Sequence, residues 1–456
     1  MNTATSPDTP AVSGDVSRPN VIVVCIDTLR ADHVTPTLTP NLWRIARRGV
    51  RLPRAWAEFP LTVPFRVSAV TGTYTFTNRP WSGLRRSDRH LAEMCSASGY
   101  DTAAFTDTPF RSDVGLDRGF DTFVELPSKL RAVGPPRPIE WVGPTPFIAA
   151  SRDDDRGRWR NFRDGWLPRR RGEIGEPVGI EALVDHSLEW LRRDRTRPGL
   201  LWLDSFQCHE PWLSPDDERR ASSGPWPFER FLPLPSGPDD AWMDDGDRAQ
   251  VRSLYAGEVA HTDRHIGRLV DHLDVTNAWD DTVVVVMSDH GVPLGEHGRI
   301  RKYDVPLYDE MARIPWIIAA PGCRAGTLSD TPVQTPDLLA TLVDLLSLKV
   351  PPSEAYGPDV EFPGGLEGHS LLPVLQGESG TRQQAFLGVF GTRQAIVRWP
   401  YKAIDFRGER PDELFDLSED PSELRDLASE QPDVLGELRH ASWRFQHRWA
   451  RALRRL

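Results

Sequence analysis

The sequence predicts an α/β protein built on a mixed, mostly parallel central sheet, followed by a small C-terminal α+β unit. Three observations predict it. Val283 to Val286 is an unbroken β-branched run, the pattern of a strand buried on both faces. Val21 to Ile26 (VIVVCI) is a second such run. Both runs stop at a carboxylate, Asp289 and Asp27, and open α/β sheets bind ligands outside the carboxyl ends of their strands.

Composition bounds the partners. Across 456 residues, 66 acids against 55 bases leave a net charge of −11, so nucleic acid and anionic membranes are poor general partners. Cys25, Cys95, Cys208 and Cys323 show neither zinc spacing nor a disulfide framework. No apolar run approaches membrane-spanning length. Residues 1–18 lack the basic start and apolar middle of a signal peptide; they read as a disordered lead-in, and the protein as cytoplasmic. Arginine is the default base, for the only lysines are Lys129, Lys302, Lys349 and Lys402.

In chain order, Arg30, Asp32 and His33 follow Asp27-Thr28 in a loop. Thr39-Pro40-Asn41 then opens an amphipathic helix, Leu42–Gly49, with Thr39 as N-cap, Pro40 at the first helical position and Gly49 closing it. In Thr62-Val63-Pro64-Phe65-Arg66 the arginine lies one helical turn on from the hydroxyl and faces back towards it. Alone, that segment reads first as a proline-started helix with a capping threonine. At the central strand, Asp289 offers a hard oxygen and His290 a neutral imidazole, a set that suits Ca²⁺, Mn²⁺ or Zn²⁺. Alone, Asp-His-Gly is a common polar turn.

Two regions lack strong apolar periodicity. Residues 127–180 interleave arginines with Trp159, Phe162 and Trp166, which fits a nucleic-acid patch. Asp153-Asp154-Asp155 and Asp164 dilute that charge, and a solvated insertion at the mouth of a site is expected instead. Residues 213–250 read as a long loop. Near the end, Ile396–Trp399 and Tyr401–Ile404 look like a hairpin. A helix over Val434–Leu456 carries Leu435, Leu438, Phe445, Trp449 and Leu456 to one side, for docking on the parent domain or, alternatively, a membrane surface.

Together, Asp27-Thr28-Leu29-Arg30-Ala31-Asp32-His33, Thr39-Pro40-Asn41-Leu42, Thr62-x-Pro-x-Arg66 and Asp289-His290-Gly291 resemble the sulfatase family of the alkaline phosphatase superfamily. Order and long-range spacing match at once. Gly99–Ala103, Gly119–Asp121, Leu201–Phe206 with His209-Glu210-Pro211-Trp212, Tyr255–Leu269, Leu294–Gly298 with Lys302, Arg313–Pro315 and Glu413–Pro421 extend the likeness along the chain. The resemblance implies an alkaline-phosphatase-like three-layer sandwich, with a catalytic domain over 19–380 and a C-terminal subdomain over 381–456.

It also implies roles. Asp27, Asp289, His290 and the Thr62 hydroxyl would hold one divalent metal ion (Ca, Mn or Zn), which would activate Thr62 as nucleophile. Arg66 would hold that oxygen or a substrate oxygen, Lys302 would neutralise another, and His209 would protonate the leaving group. A rival two-metal arrangement would recruit Asp204, His209 and His297.

Three positions depart from the family pattern. Thr62 stands where sulfatases carry the cysteine or serine oxidised to formylglycine. Thr28 replaces a second aspartate, and Phe105-Thr106-Asp107-Thr108-Pro109 stands in place of a Gly-Lys-Trp-His element. The reading that follows is a metal-dependent hydrolase of a phosphoester or phosphonate ester. The alternatives are a sulfatase-like enzyme acting on a sulfate or other ester without formylglycine, and a metal-binding pseudoenzyme. The expected partner is a small anionic ester, with no nucleic acid and no membrane; the oligomeric state stays open.

Overall fold

The computed structural model describes residues 18–108, 112–129, 162–216, 237–238, 243–302, 304–305, 307–351 and 366–448. Eight strands form the central sheet: β1 (Asn20–Ile26), β2 (Val50–Arg51), β3 (Asp101–Thr106), β4 (Thr122–Glu125), β5 (Gly199–Ser205), β6 (Thr282–Met287), β7 (Trp316–Ala319) and β8 (Thr327–Leu328). Their spatial order is β8-β2-β7-β6-β1-β5-β3-β4. Every pairing is parallel except the two made by β7, which runs antiparallel to β6 and β2.

The unbroken apolar runs follow from helices on both faces. Ile22, Val24 and Ile26 pack with Val284 and Val286 against α1 (Pro40–Arg48), α4 (Gly179–Leu191) and α5 (Asp245–Thr276). Val21, Val23 and Cys25 pack with Val283 and Val285 against α2 (Thr62–Thr71), α3 (Leu91–Ala97) and α6 (Asp337–Leu346). Side chains alternate across a strand, so a strand covered twice leaves no position for a polar residue until it ends. The predicted three-layer sandwich is the observed one.

Local expectations need correction. Thr39 precedes α1, but its side chain does not cap it. The Thr39 hydroxyl donates to Thr35 O (2.9 Å), and Asp263 of α5 accepts from Asn41 N (3.0 Å) and Leu42 N (2.8 Å) instead. Gly49 has an extended backbone; glycine is required because a Cβ would lie 2.2 Å from Ile318 O of β7. Residues 213–250 are not all loop, because α5 begins at Asp245 behind an Asp244–Asp247 capping box. Within 127–180, Phe162, Trp166, Leu167 and Val178 form a buried cluster with Leu213, so this part of the insertion is packed rather than solvated. Trp159 and Arg152–Arg160 lie outside the described residues.

Beyond the sandwich, β9 (Ala385–Val389), β10 (Arg393–Arg398), β11 (Tyr401–Asp405) and β12 (Glu413–Asp416) form an antiparallel sheet in sequential order. The 396–404 hairpin is its centre. Helix α7 (Pro432–Gln446) docks through Leu438 and Ala441 onto Ile396, Ala403 and Leu414, in a cluster shared with Phe59 and Leu61 of the large unit. Trp449 and Leu456 lie outside the described residues. Among the described residues, no helix is long and apolar enough to cross a membrane.

Candidate active site

Three adjacent parallel strands bring a carboxylate to the same end of the sheet. Cys25 of β1 is in register with Asp204 of β5 and Met287 of β6, so Asp27 and Asp289 emerge side by side with Asp204 next to them. Asp27, Asp289 and His290 are fully buried, and their ligand atoms lie within 4.8 Å of one another. The His290 Nδ1–H faces Gly291 O (2.7 Å), which turns the Nε2 lone pair to the opposite side of the ring. Among the described residues that Nε2 and the Asp27 Oδ1 have no hydrogen-bond partner, although both are buried.

Orphaned buried acceptors are rare, and here two of them converge with an aspartate. A divalent cation would satisfy both, so the donor set fits the metal that the sequence implies. Electrostatics agree. Burial, and then the neighbouring Asp289, push the Asp27 carboxyl well above its usual range. Burial acts on Asp289 too, but His290, Arg66 and Lys302 outweigh it and hold that carboxyl below the usual range. His290 is pushed down to about 4, chiefly by burial, and so is a neutral ligand at pH 7.

Thr28 follows Asp27 in the left-handed region (φ 58°), a conformation that costs a β-branched residue on the order of 1–3 kcal/mol. It is held there from both sides. Its amide donates to Asp289 Oδ1 (3.0 Å), and the Tyr255 hydroxyl of α5 donates to its carbonyl (2.7 Å).

Thr62 is the first residue of α2 and is 3% exposed. Arg66 does face back towards it, since Nη1 donates to Thr62 O at 2.8 Å. Its remaining donors, however, go to carboxylates: Nε and Nη2 to Asp204 (2.9 and 2.7 Å), Nη1 to Asp289 (2.6 Å) and Nη2 to Asp27 (3.3 Å). A guanidinium has five N–H groups, and all five are taken. As it stands Arg66 is occupied by Asp27, Asp204 and Asp289, where the resemblance implied a hold on the Thr62 oxygen or a substrate oxygen.

His209 follows β5 and stacks on Phe206, with ring centroids 4.0 Å apart. Its Nδ1 faces Glu210 O (2.8 Å), and Glu210 pairs with Arg301 (2.7 Å) beside Lys302. Burial, joined by Lys302 and Arg301, holds the His209 imidazole well below its ordinary range. Lys302 is half-buried and makes no ion pair among the described residues, yet its charge acts on Asp27, Asp289, His290, His209 and Glu210. The rival two-metal set is not assembled. His297 is engaged by Glu310 (2.8 Å) and Glu423 O (3.0 Å), and Asp204 by Arg66.

Sequence reasoning gave Asp204 only that rival role, although it ends an apolar strand as Asp27 and Asp289 follow theirs. It met Thr108 only within a segment that departs from the family pattern and Tyr255 only as the start of a matching stretch, and foresaw neither the Thr108 hydroxyl donating to Asp204 (2.7 Å) nor the Tyr255 hydroxyl donating to Thr28 O (2.7 Å).

A family model described as Sulfatase matches residues 19–348. The chain belongs to the sulfatase family. Among curated relatives of this sulfatase-family chain, a multifunctional alkaline phosphatase superfamily protein, PehA, of Trinickia caryophylli is 25% identical, covering 95% of this chain and 96% of its own. A choline-sulfatase of Rhizobium meliloti is 24% identical, over 90% and 83%. Among solved structures, a phosphonate monoester hydrolase of Agrobacterium radiobacter superposes with a TM-score of 0.68 at 22% identity, over 95% and 96% of the two chains. As a member of this family the protein is an ester hydrolase.

Proposed function

We propose that this sulfatase-family hydrolase cleaves a phosphoester or phosphonate ester with Thr62 as nucleophile. The observation that carries the reading is the Arg66 guanidinium, which joins the Thr62 carbonyl to Asp27, Asp204 and Asp289. The nucleophile helix is thereby tied to the ligand carboxylates. Asp27, Asp289 and His290 would hold one divalent cation, whose charge makes a nearby hydroxyl easier to ionise.

Each side chain then has a task. Thr62 presents an alkyl hydroxyl, and its β-methyl restricts the rotamer. Lys302, the half-buried ammonium, neutralises a substrate oxygen. With Nδ1 facing its own loop, His209 has Nε2 for the leaving group. An anion seated beside Lys302 cancels part of the push that keeps His209 neutral, so protonation accompanies substrate binding.

Threonine also bears on the leaving chemistry. Formylglycine hydrate expels sulfate with its second hydroxyl; a threonine ester has none and must be cleaved by water. A sulfate ester is the second reading, favoured by the choline-sulfatase among the relatives. The test is a panel of aryl phosphate, diaryl phosphate, aryl phosphonate and aryl sulfate esters, assayed on metal-stripped protein reloaded with Ca²⁺, Mn²⁺ or Zn²⁺. Turnover confined to the sulfate ester would sink the phosphoester reading.

A further inference from the structure

One buried ammonium holds the backbone that carries His209. Lys129 is 1% exposed, and its three N–H groups face four acceptors, Gln207 O (2.6 Å), His209 O (3.2 Å), Pro211 O (3.1 Å) and Glu258 Oε1 (3.0 Å), so at least one is shared. Glu258, on α5, grips the same segment from its two ends: it accepts from Gln207 Nε2 (2.6 Å) and from Leu213 N (2.8 Å). We infer that Lys129 is a positioning residue for proton transfer, setting the place of the His209 imidazole through the 207–213 backbone. This rests on the reading of His209 as the proton donor.

Three arguments support it. The His209 ring has little freedom relative to its own backbone, because Nδ1 is bonded to the adjacent Glu210 carbonyl and the ring lies on Phe206. Where the backbone goes, Nε2 goes. Secondly, three carbonyls converging on one point call for a compact tetrahedral donor, which a planar guanidinium cannot imitate. Lysine stands here in a chain where 51 of 55 bases are arginine. Thirdly, the contact is made by a residue at the edge of the 127–180 insertion, and Trp166 of that insertion lies over the ammonium (5.4 Å to the ring centroid). The insertion thus reaches the catalytic loop from behind.

The test uses aryl esters of graded leaving-group pKa with the parent, His209→Ala, Lys129→Ala, Lys129→Arg and Lys129→Ala/His209→Ala. Lys129→Ala and Lys129→Arg should lose about tenfold to a hundredfold in kcat on poor leaving groups, since small misplacements of a reacting group cost that much. Their rates on the best leaving group and their KM should stay near the parent's. The double variant should be no slower than His209→Ala, because the two residues act as one unit.

A parent-like leaving-group dependence in the Lys129 variants, while His209→Ala shows a steep one, overturns the inference alone. So does a loss that multiplies with that of His209→Ala. A flat loss in His209→Ala removes the proton-donor reading, and the inference with it. If Lys129→Ala does not fold, Lys129→Met/Glu258→Gln removes both buried charges together and serves the same test. Should neither fold, the pair is structural and the inference falls.

Discussion

Arg66 binds Asp204 through two parallel hydrogen bonds, 2.9 and 2.7 Å, with all partners fully buried. The same guanidinium meets Asp289 and Asp27, so three buried carboxylates share one fixed positive charge. Two negative charges are left over if all three ionise, which is what a divalent cation would neutralise.

Asp204→Ala leaves Arg66 without its bidentate partner. Removing one member of a buried ion pair typically costs about 3–5 kcal/mol. We expect a loss of that order in the unfolding free energy obtained from urea titration, and less for Asp204→Asn, which keeps the shape and one acceptor. Arg66→Lys should also lose metal retention, because three donors cannot serve both the helix carbonyl and the carboxylates. Parent-like metal content in Arg66→Lys would contradict this role.

Metal should stabilise the fold through Asp27 and Asp289. A cation present at a hundredfold over its Kd adds about 2.7 kcal/mol to the native state. Chelation should therefore lower the Tm of the parent, and Asp27→Ala or Asp289→Ala should show neither stoichiometric metal nor any chelator effect. Elemental analysis of the purified variants checks the first half, and calorimetry with and without chelator the second.

His209→Ala should slow poor leaving groups by roughly a hundredfold or more while sparing those that depart unprotonated. A plot of log kcat against leaving-group pKa reads this directly. A uniform drop would assign His209 a structural role.

Asp107 gives a pH prediction. Its Oδ1 accepts from Phe206 N, whereas the buried Oδ2 has no partner among the described residues. Burial, with Asp204 adding to it, pushes the carboxyl up to about 7. An unfolded aspartate titrates near 3.9, so between roughly pH 4 and 7 the folded state holds the proton more tightly. That contribution to stability is complete below about pH 4 and is lost as pH rises through 7. Asp107→Asn should then gain on the parent across this window by an amount on the order of a few kcal/mol, and level off above it. Thermal melts of both proteins at pH 5, 6, 7 and 8 decide the matter; parallel curves would mean that Asp107 titrates normally.

What was legible in the sequence was local. An apolar run ending at an acid marks β1 and β6, because a strand covered on both faces can be polar only where it ends. The i, i+4 spacing also foretells that Arg66 turns back to Thr62. Its other targets were hidden, since Asp27, Asp204 and Asp289 come from three strands that only the sheet order brings together. Tyr255, Glu258 and Lys129 were hidden for the same reason: each acts on a partner far away in sequence, and nothing in their own neighbourhoods announces it. Trp166 was misread because the charged residues around it masked a buried cluster.

Thr62 separates the threonine mechanism from its rivals. The residue opens α2, is almost fully buried, and sits four positions before the arginine that ties its carbonyl to Asp289. An alkyl hydroxyl is hardly ionised at pH 7, so it needs the activation that the Asp27, Asp289 and His290 set would supply through a cation. Thr62→Ala should leave the fold and most metal affinity intact, because the Arg66 contacts do not use the hydroxyl and the variant keeps Asp27, Asp289 and His290. Turnover should fall by several orders of magnitude, as when a nucleophile is removed from a cooperating unit. Thr62→Ser keeps the oxygen and should retain part of the rate. Quenching the reaction during turnover and digesting the protein should yield a peptide carrying a phosphoryl or phosphonyl group on Thr62 whenever hydrolysis of that ester is the slow step. If Thr62→Ala turns over the best substrate as fast as the parent, a water molecule is the nucleophile and the threonine ester does not form.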